Sequence, residues 1–172
     1  MGDIVYVVRR KSRRIKTYSA DILSPLGEGI HVEGMKHPMD IVACHRDIQL
    51  YVADHNYCIW QLSDNGHEPV RWLDTKHVEK LSLTSQGLLV TSSSDPLILR
   101  QYNTANAQLM TVVQCPWDVA GCPGVRHVTL PQYMKRLCHA VETTNGSFVI
   151  SHEGRSEDDW HHAVSERLRF NK

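Results

Sequence analysis

The chain has 172 residues, of which 41% are apolar, and its 19 Lys and Arg residues balance 19 Asp and Glu residues. These values are typical of a soluble chain of about one domain, and the neutral total argues against a protein that binds polyanions over its whole surface. No run approaches the roughly 18 apolar residues of a membrane span, and we find no secretion signal in the first residues. The five cysteines form no C-x-x-C pair. We therefore expect a cytoplasmic protein with free thiols and no membrane partner.

Short runs rich in β-branched and aromatic residues, separated by polar turns, recur along the chain and predict strands. The first repeat holds two runs, 4–8 and 14–18. The second and third repeats hold four runs each, at 40–44, 49–53, 57–62 and 70–73, and at 80–84, 88–91, 97–102 and 109–113. The fourth repeat opens with 138–142 and 148–151, which flank an Asn-Gly hairpin signal. No segment sustains the spacing of a long helix, so the pattern indicates an all-β chain.

The repeats follow one another at similar intervals. Tyr6 and Tyr51 hold equivalent places 45 positions apart, and Val52 and Val90 lie 38 positions apart. The next interval is longer by about fifteen residues, and a segment punctuated by Pro and Gly, 115–129, accounts for the surplus. Four strands in about 40 residues describe one blade of a β-propeller, because a single sheet of this size buries its faces only by stacking on neighbouring sheets.

We therefore predict a partial β-propeller of about three to four four-stranded blades, incomplete at both ends. Its predicted parts are a partial first blade (1–36), a second blade (37–76), a third blade (77–114), an insertion loop (115–129), the start of a fourth blade (130–155) and a C-terminal tail (156–172). The tail fits either a third strand or a short amphipathic helix. Additional blades or self-association would cover the open sheet edges that we expect in such a chain.

The second repeat resembles the NHL-type repeat, in which a proline and an apolar strand are followed by a "YVAD" strand and a further strand. The matching segments are Pro38–Val42, Leu50–Asp54 and Cys58–Leu62. The third repeat departs from the pattern, with Thr91-Ser92-Ser93 where the motif has Ala-Asp. The resemblance implies a β-propeller that serves as a binding platform for protein or RNA. The ubiquitin-ligase module that often accompanies such propellers is not implied, because the sequence has no RING-type or B-box array of zinc ligands.

The sharpest local feature is a basic segment, residues 9–16, with six basic residues among eight. Antiparallel strands place the loop between a blade's second and third strands on the same face as the links between blades. The basic segment is therefore expected beside residues 54–57, 92–95 and 152–155. Clustered Lys and Arg side chains can bind the phosphates of a nucleic acid in a salt-dependent and weakly sequence-specific way. The predicted binding residues are Arg9, Arg10, Lys11, Arg13, Arg14, Asp54, His55, Asn56 and Tyr57; the alternative is a solvated hairpin tip.

Other conspicuous side chains have structural interpretations. Trp60 and Tyr102 lie within predicted strands and are expected to pack between blades, whereas Tyr57 at a strand entry is expected to be exposed. Cys44 and Cys138 are expected to be small buried hydrophobes. The Cys115, Cys122 and His127 spacing and the His161–His162 pair match no zinc module, so we predict no metal and no cofactor.

Catalytic motifs are lacking: the sequence has no G-x-S-x-G nucleophile turn, no H-E-x-x-H zinc helix and no phosphate-binding Walker loop. We therefore predict a non-enzymatic binding or scaffold module that presents loop residues to a protein partner, or to RNA through the basic segment. Two alternatives stay open. One is a fragment of a catalytic propeller, a hydrolase or a lyase, and the other is a truncated product without autonomous activity.

Overall fold

The structure is a computed structural model that describes residues 4–63, 68–94, 97–114, 126–129, 136–143, 147–153 and 164–169. Every regular element among these residues is a β-strand, and most strands are paired antiparallel. In this part of the chain no helix has the length and apolar character needed to cross a membrane. The chain divides into two compact units, Met1–Val78 and Glu79–Lys172.

The first unit contains two sheets. A three-stranded sheet runs in the order β1-β2-β3, and a four-stranded sheet runs in the order β4-β5-β6-β7. The strands are β1 (Ile4–Val7), β2 (Arg14–Ser19), β3 (Ile30–His31), β4 (Pro38–Cys44), β5 (Gln49–Asp54), β6 (Cys58–Ser63) and β7 (Val70–Leu73). Each neighbouring pair is antiparallel, as short hairpin connections require.

A shared hydrophobic core joins the two sheets of this unit. Leu50 and Val52 of β5 pair across the ladder with Leu62 and Trp60 of β6, and all four side chains are buried in one cluster with Ile15 of β2. The cluster also holds Val32, Met35 and Cys58. Burial of each large apolar side chain contributes about 1.5–3 kcal/mol, so this cluster is what fixes the two sheets together.

The second unit also contains two sheets. A five-stranded sheet runs in the order β12-β11-β10-β9-β8, and a three-stranded sheet runs β13-β14-β15. The strands are β8 (Lys80–Leu83), β9 (Leu88–Ser94), β10 (Leu97–Asn103), β11 (Leu109–Gln114), β12 (Arg126–Thr129), β13 (Arg136–Glu142), β14 (Ser147–Glu153) and β15 (Val164–Arg169). The Ser82 hydroxyl donates a hydrogen bond to the Ala140 carbonyl at 2.5 Å, which links β8 to β13.

The predicted all-β architecture is confirmed, and each predicted strand coincides with an observed one to within a few residues. Three strands were not predicted as such. The two-residue β3 is too short to give a periodic signal. The β12 strand lies inside the predicted insertion loop 115–129 and pairs in parallel with β11. Strand β15 shows that part of the C-terminal tail is a strand, which was one of its two predicted forms. Residues 115–125 of the insertion loop lie outside the described residues.

Candidate binding face

Three loop segments of the first unit meet on one side of its two sheets. They are the basic segment (residues 9–16), the blade link (residues 32–37, between β3 and β4) and the β5–β6 turn (residues 54–57). Together they are called the loop face below. Hydrogen bonds join the basic segment to the link and the link to the turn, so the three segments form a continuous surface.

Asp54 fastens the blade link to the β5–β6 turn. Its carboxylate accepts hydrogen bonds from the backbone N–H groups of Lys36 at 2.9 Å and His37 at 2.5 Å. It also accepts one from the indole Nε1 of Trp60 at 3.2 Å. The Asp54 side chain is completely buried. A buried carboxylate is tolerated where donors compensate for its lost hydration, and here three donors converge on it.

The side chains of the turn also contact the adjoining links. The backbone N–H of His55 donates to the carbonyl of His37 at 3.1 Å. The Nζ of Lys36 lies 4.5 Å from the ring centroid of Tyr57, a cation–π distance. The His55 ring meets the His77 ring edge-on, with centroids 6.0 Å apart. The turn is therefore packed against the segments that enter and leave the β4–β7 sheet.

The basic segment meets the other end of the blade link. The backbone N–H of Val32 donates to the carbonyl of Arg13 at 2.8 Å. A guanidinium nitrogen of Arg13 lies 3.7 Å from a carboxylate oxygen of Glu33, and the same carboxylate lies 3.1 Å from Nε2 of His31. All of these side chains are largely exposed, so the ion pairs contribute little stability. The Arg13–Glu33 pair nevertheless places the basic segment beside the link.

The basic segment encloses a concavity of about 410 Å³. Its walls are Arg9, Arg10, Lys11, Ser12, Arg14 and Lys16. Lys11 has a φ of 63°, which reverses the chain between β1 and β2. The Ser12 hydroxyl accepts a hydrogen bond from the backbone N–H of Arg14 at 3.1 Å and thereby closes the turn. The turn is ordered, and it directs several cationic side chains around one hollow.

Comparison with known proteins identifies the architecture. No protein-family model and no curated protein matches the sequence. Solved structures do match: the WD40 β-propeller domain of Doa1 has a TM-score of 0.61 and 13% identity over 93% of this chain and 49% of that chain. Hsv2 of Kluyvelomyces marxianus has a TM-score of 0.55 and 12% identity over 88% of this chain and 44% of its own. The fold is that of a β-propeller.

This assignment defines the described sheets as propeller blades. The sheet β4–β7 is a four-stranded blade, and the β1–β3 sheet packs on it as the preceding blade. A third match, KlHsv2 with loop 6CD replaced by a Gly-Ser linker, has a TM-score of 0.55 and 14% identity over 89% of this chain and 45% of that chain. The chain therefore spans about half the length of the solved propellers it matches.

The blade arrangement brings most of the predicted site residues of the first unit to the loop face. Arg9, Arg10, Lys11, Arg13 and Arg14 are exposed around the basic segment, Asn56 and Tyr57 are exposed in the turn, and His55 is half-buried. Asp54 was named among the predicted binding residues, but its side chain is buried and its carboxylate accepts hydrogen bonds from the link. Asp54 stabilises the loop face by accepting hydrogen bonds from the Lys36 and His37 backbone.

Two segments that were predicted to lie beside the basic segment differ from their prediction or are only partly described. Residues 92–95 were predicted to form a loop, but Ser92, Ser93 and Ser94 belong to strand β9, and Ser92 and Ser93 are buried. Residues 152–155 fall partly in β14 and partly outside the described residues. Both segments belong to the second unit. Lys36 and Glu33 were not predicted to belong to the loop face. They lie in the link before β4, and links between blades are expected on this face.

The expected burial of the strand aromatics and of Cys44 is confirmed, and Trp60 packs in the cluster that the two sheets of the first unit share. Trp60, Tyr102 and Cys44 are buried, whereas Tyr57 retains 36% of its accessible surface. Burial also raises the pKa of the Cys58 thiol to about 11, which keeps it protonated and unreactive. The described residues contain no group of three or more His, Cys, Asp or Glu side chains able to hold a metal ion. Cys115, Cys122 and His161–His162 lie outside the described residues, as do the side chains of Cys138 and His127.

Proposed function

We propose that this chain is a non-enzymatic interaction module, a propeller of NHL-like type, whose loop face binds a protein partner in the cytoplasm. One observation carries the proposal: loop segments of two adjacent blades form one ordered surface through Asp54, Lys36 and Arg13. Binding residues occur preferentially on loops that a rigid scaffold positions. The resemblance of the second blade to the NHL repeat supports the same use of the fold.

The chemistry of the face favours a protein over RNA. Arg and Tyr are enriched in protein interfaces, because each offers apolar area together with hydrogen-bonding groups. Here the exposed Arg9 and Arg10 lie on the same face as Tyr57, whose ring packs under the Lys36 ammonium. Single-stranded RNA is held by stacking its bases on aromatic rings beside a cationic groove. Residues 9–16, which line the cationic hollow, include no aromatic residue.

The buried carboxylate of the loop face is not available for catalysis. This carboxylate, of Asp54, is already committed to three hydrogen-bond donors. A general base must instead reach a substrate proton or a nucleophile. The proposal is therefore a binding surface without a reaction centre.

Site-specific photo-crosslinking tests the proposal. A photoreactive phenylalanine analogue is placed at Asn56 or at Lys11 on the loop face, and at Ile48 as the control. Ile48 is exposed in the turn between β4 and β5, at the opposite end of those strands. In native cell extract we expect a discrete crosslinked protein from Asn56 and Lys11 but not from Ile48. Equal crosslinking from Ile48, or products that ribonuclease removes, would contradict a protein-binding loop face.

A further inference from the structure

The β2–β3 loop, residues 20–29, adjoins the basic hollow, because its Glu28 pairs at 3.1 Å with Arg14, which lines the hollow. The loop also carries apolar side chains at its surface. Three large aliphatic side chains of this loop are exposed: Ile22 by 76%, Leu23 by 65% and Leu26 by 42%. Scattered exposed apolar residues need no explanation, but several in one short loop are typical of an interaction site. None of these residues belongs to the predicted site.

The loop is held in place by hydrogen bonds. The backbone N–H of Leu26 donates to the Thr17 carbonyl at 2.8 Å, and the Thr17 hydroxyl donates back to the Leu26 carbonyl at 2.8 Å. The N–H of Leu23 donates to the Ser19 carbonyl at 2.9 Å. Leu23 has a φ of 52°, in the left-handed region that is costly for a bulky side chain. The loop therefore presents its aliphatic groups from a defined backbone.

The hollow beside this loop carries a local excess of positive charge. Glu28 pairs with Arg14 at 3.1 Å, and Glu33 lies 3.7 Å from Arg13. Among the described residues, no carboxylate pairs with the remaining four cations around the segment, Arg9, Arg10, Lys11 and Lys16. A ligand with several carboxylates would complement this charge.

We infer that the basic hollow and the β2–β3 loop together bind an extended acidic peptide segment that also carries aliphatic side chains. This inference rests on the proposed function and specifies its partner. Acidic residues of the segment enter the hollow, and its aliphatic residues cover Leu23 and Leu26.

The spacing of the two parts suits such a segment. Lys16 lines the hollow, and Ser19, three residues further along the strand, is the last residue of β2 before the β2–β3 loop. Three residues of a strand cover about 10 Å. An extended peptide therefore passes from the hollow to the loop within about three to four of its own residues.

Two other anionic ligands fit less well. Aliphatic side chains such as Leu23 do not stack on nucleobases, so they add nothing to RNA binding. An anionic bilayer presents a planar array of headgroups, whereas Arg9, Arg10 and Lys16 line a hollow of about 410 Å³. A hollow receives protruding side chains, as a peptide offers.

Peptide selection tests the inference with the full chain. A random 12-residue library displayed on phage is selected on the immobilised protein, and enriched sequences are synthesised for affinity measurement. Three double variants are compared with the parent: Arg9→Glu/Arg10→Glu, Leu23→Ser/Leu26→Ser, and the control Arg46→Glu/Lys76→Glu. Arg46 and Lys76 are exposed and lie outside the basic segment, and the control changes the net charge by the same amount as the first variant. All altered positions are exposed, and circular dichroism verifies folding.

We expect enriched peptides to combine a cluster of Asp or Glu with nearby Leu, Ile or Val. Their affinity is expected to fall about tenfold or more in Arg9→Glu/Arg10→Glu, and about threefold to tenfold in Leu23→Ser/Leu26→Ser. The control variant is expected to bind within about twofold of the parent protein.

Peptides without acidic enrichment, or equal binding to Arg9→Glu/Arg10→Glu, would overturn the inference but not the proposed function, which the crosslinking from Asn56 tests separately. A library that yields no binder would also overturn the inference but not the proposed function. Parallel assays with poly(U) RNA and with phosphatidylserine vesicles complete the test. The inference would also be overturned if the RNA or the vesicles bind more tightly than the peptides and the Arg9→Glu/Arg10→Glu change abolishes that binding.

Discussion

The carboxylate of Asp54 lies 3.2 Å from the indole Nε1 of Trp60, and the same carboxylate oxygen accepts the N–H of Lys36 at 2.9 Å. Trp60 belongs to the third strand of its blade, and Lys36 belongs to the link that precedes that blade. One buried side chain therefore connects the blade interior to the loop face. Such a connection makes the surface sensitive to changes beneath it.

Replacement of Asp54 by Ala should destabilise the protein strongly. The change leaves the N–H groups of Lys36, His37 and Trp60 without their acceptor, two of them in the link. We expect the free energy of unfolding to fall by about 3 kcal/mol, measured by urea unfolding followed by circular dichroism. Asp74→Ala is the control, because Asp74 is largely exposed and pairs with Arg71 at the surface. An equal loss in both variants would show that Asp54 has no special role.

Trp60→Phe isolates the indole hydrogen bond. The phenyl ring keeps much of the apolar contact in the core cluster but has no N–H to donate. In a double-mutant cycle with Asp54→Asn, we expect a coupling free energy of about 1 kcal/mol between the two positions. A coupling near zero would mean that Trp60 stabilises the blade by packing alone.

Gly27 and Gly29 offer a matched pair in the β2–β3 loop. Both have positive φ, 66° and 77°, but a Cβ at Gly27 meets open space, whereas a Cβ at Gly29 collides with the carbonyl of Ile15. We expect Gly27→Ala to cost about 1 kcal/mol for the backbone conformation alone. Gly29→Ala should cost about 3 kcal/mol or more, because Ile15 is a core residue whose backbone must move. Comparable unfolding midpoints for the two variants would contradict the close approach at Gly29.

Cys58 should make the protein less stable as the pH rises above about 9. Burial raises the pKa of its thiol from 9.0 to about 11, while nearby Arg71 lowers it in part. Between these values the folded state keeps the proton and the unfolded state releases it, so rising pH favours unfolding. Unfolding free energies of the parent and of Cys58→Ala, measured at about pH 8 and about pH 10, should show a smaller decline for the variant. If the unfolding free energies of the parent and the variant decline equally, Cys58 does not contribute to the pH dependence.

The fold was largely predictable because its signals are local. Short apolar runs in Leu50–Asp54 and Cys58–Leu62, with a short polar turn between them, specify a hairpin, and repetition of this pattern specifies stacked blades. Strand β3 escaped prediction because two residues carry no period. Strand β12 escaped because it pairs in parallel after a long connection, which no local pattern reveals.

The binding site was predictable only in part. Antiparallel topology placed Arg13 and the β5–β6 turn on one face, and the structure confirms this within the first unit. The burial of Asp54 depends on where the distant Lys36 and His37 backbone lies, and the sequence gives no measure of that distance. The exposed Leu23 and Leu26 were missed for a related reason: exposure depends on which neighbours cover a loop, and composition does not specify them.

The loop face can select a partner only if its link and its turn form one ordered surface in solution. Amide hydrogen exchange measured by NMR tests this most directly at Lys36 and His37, whose N–H groups donate to the buried Asp54 carboxylate. We expect both amides to exchange at least about a hundredfold more slowly than in an unstructured peptide, and to lose that protection in Asp54→Ala. Exchange of Lys36 and His37 at the unstructured rate in the unaltered protein would contradict an ordered loop face.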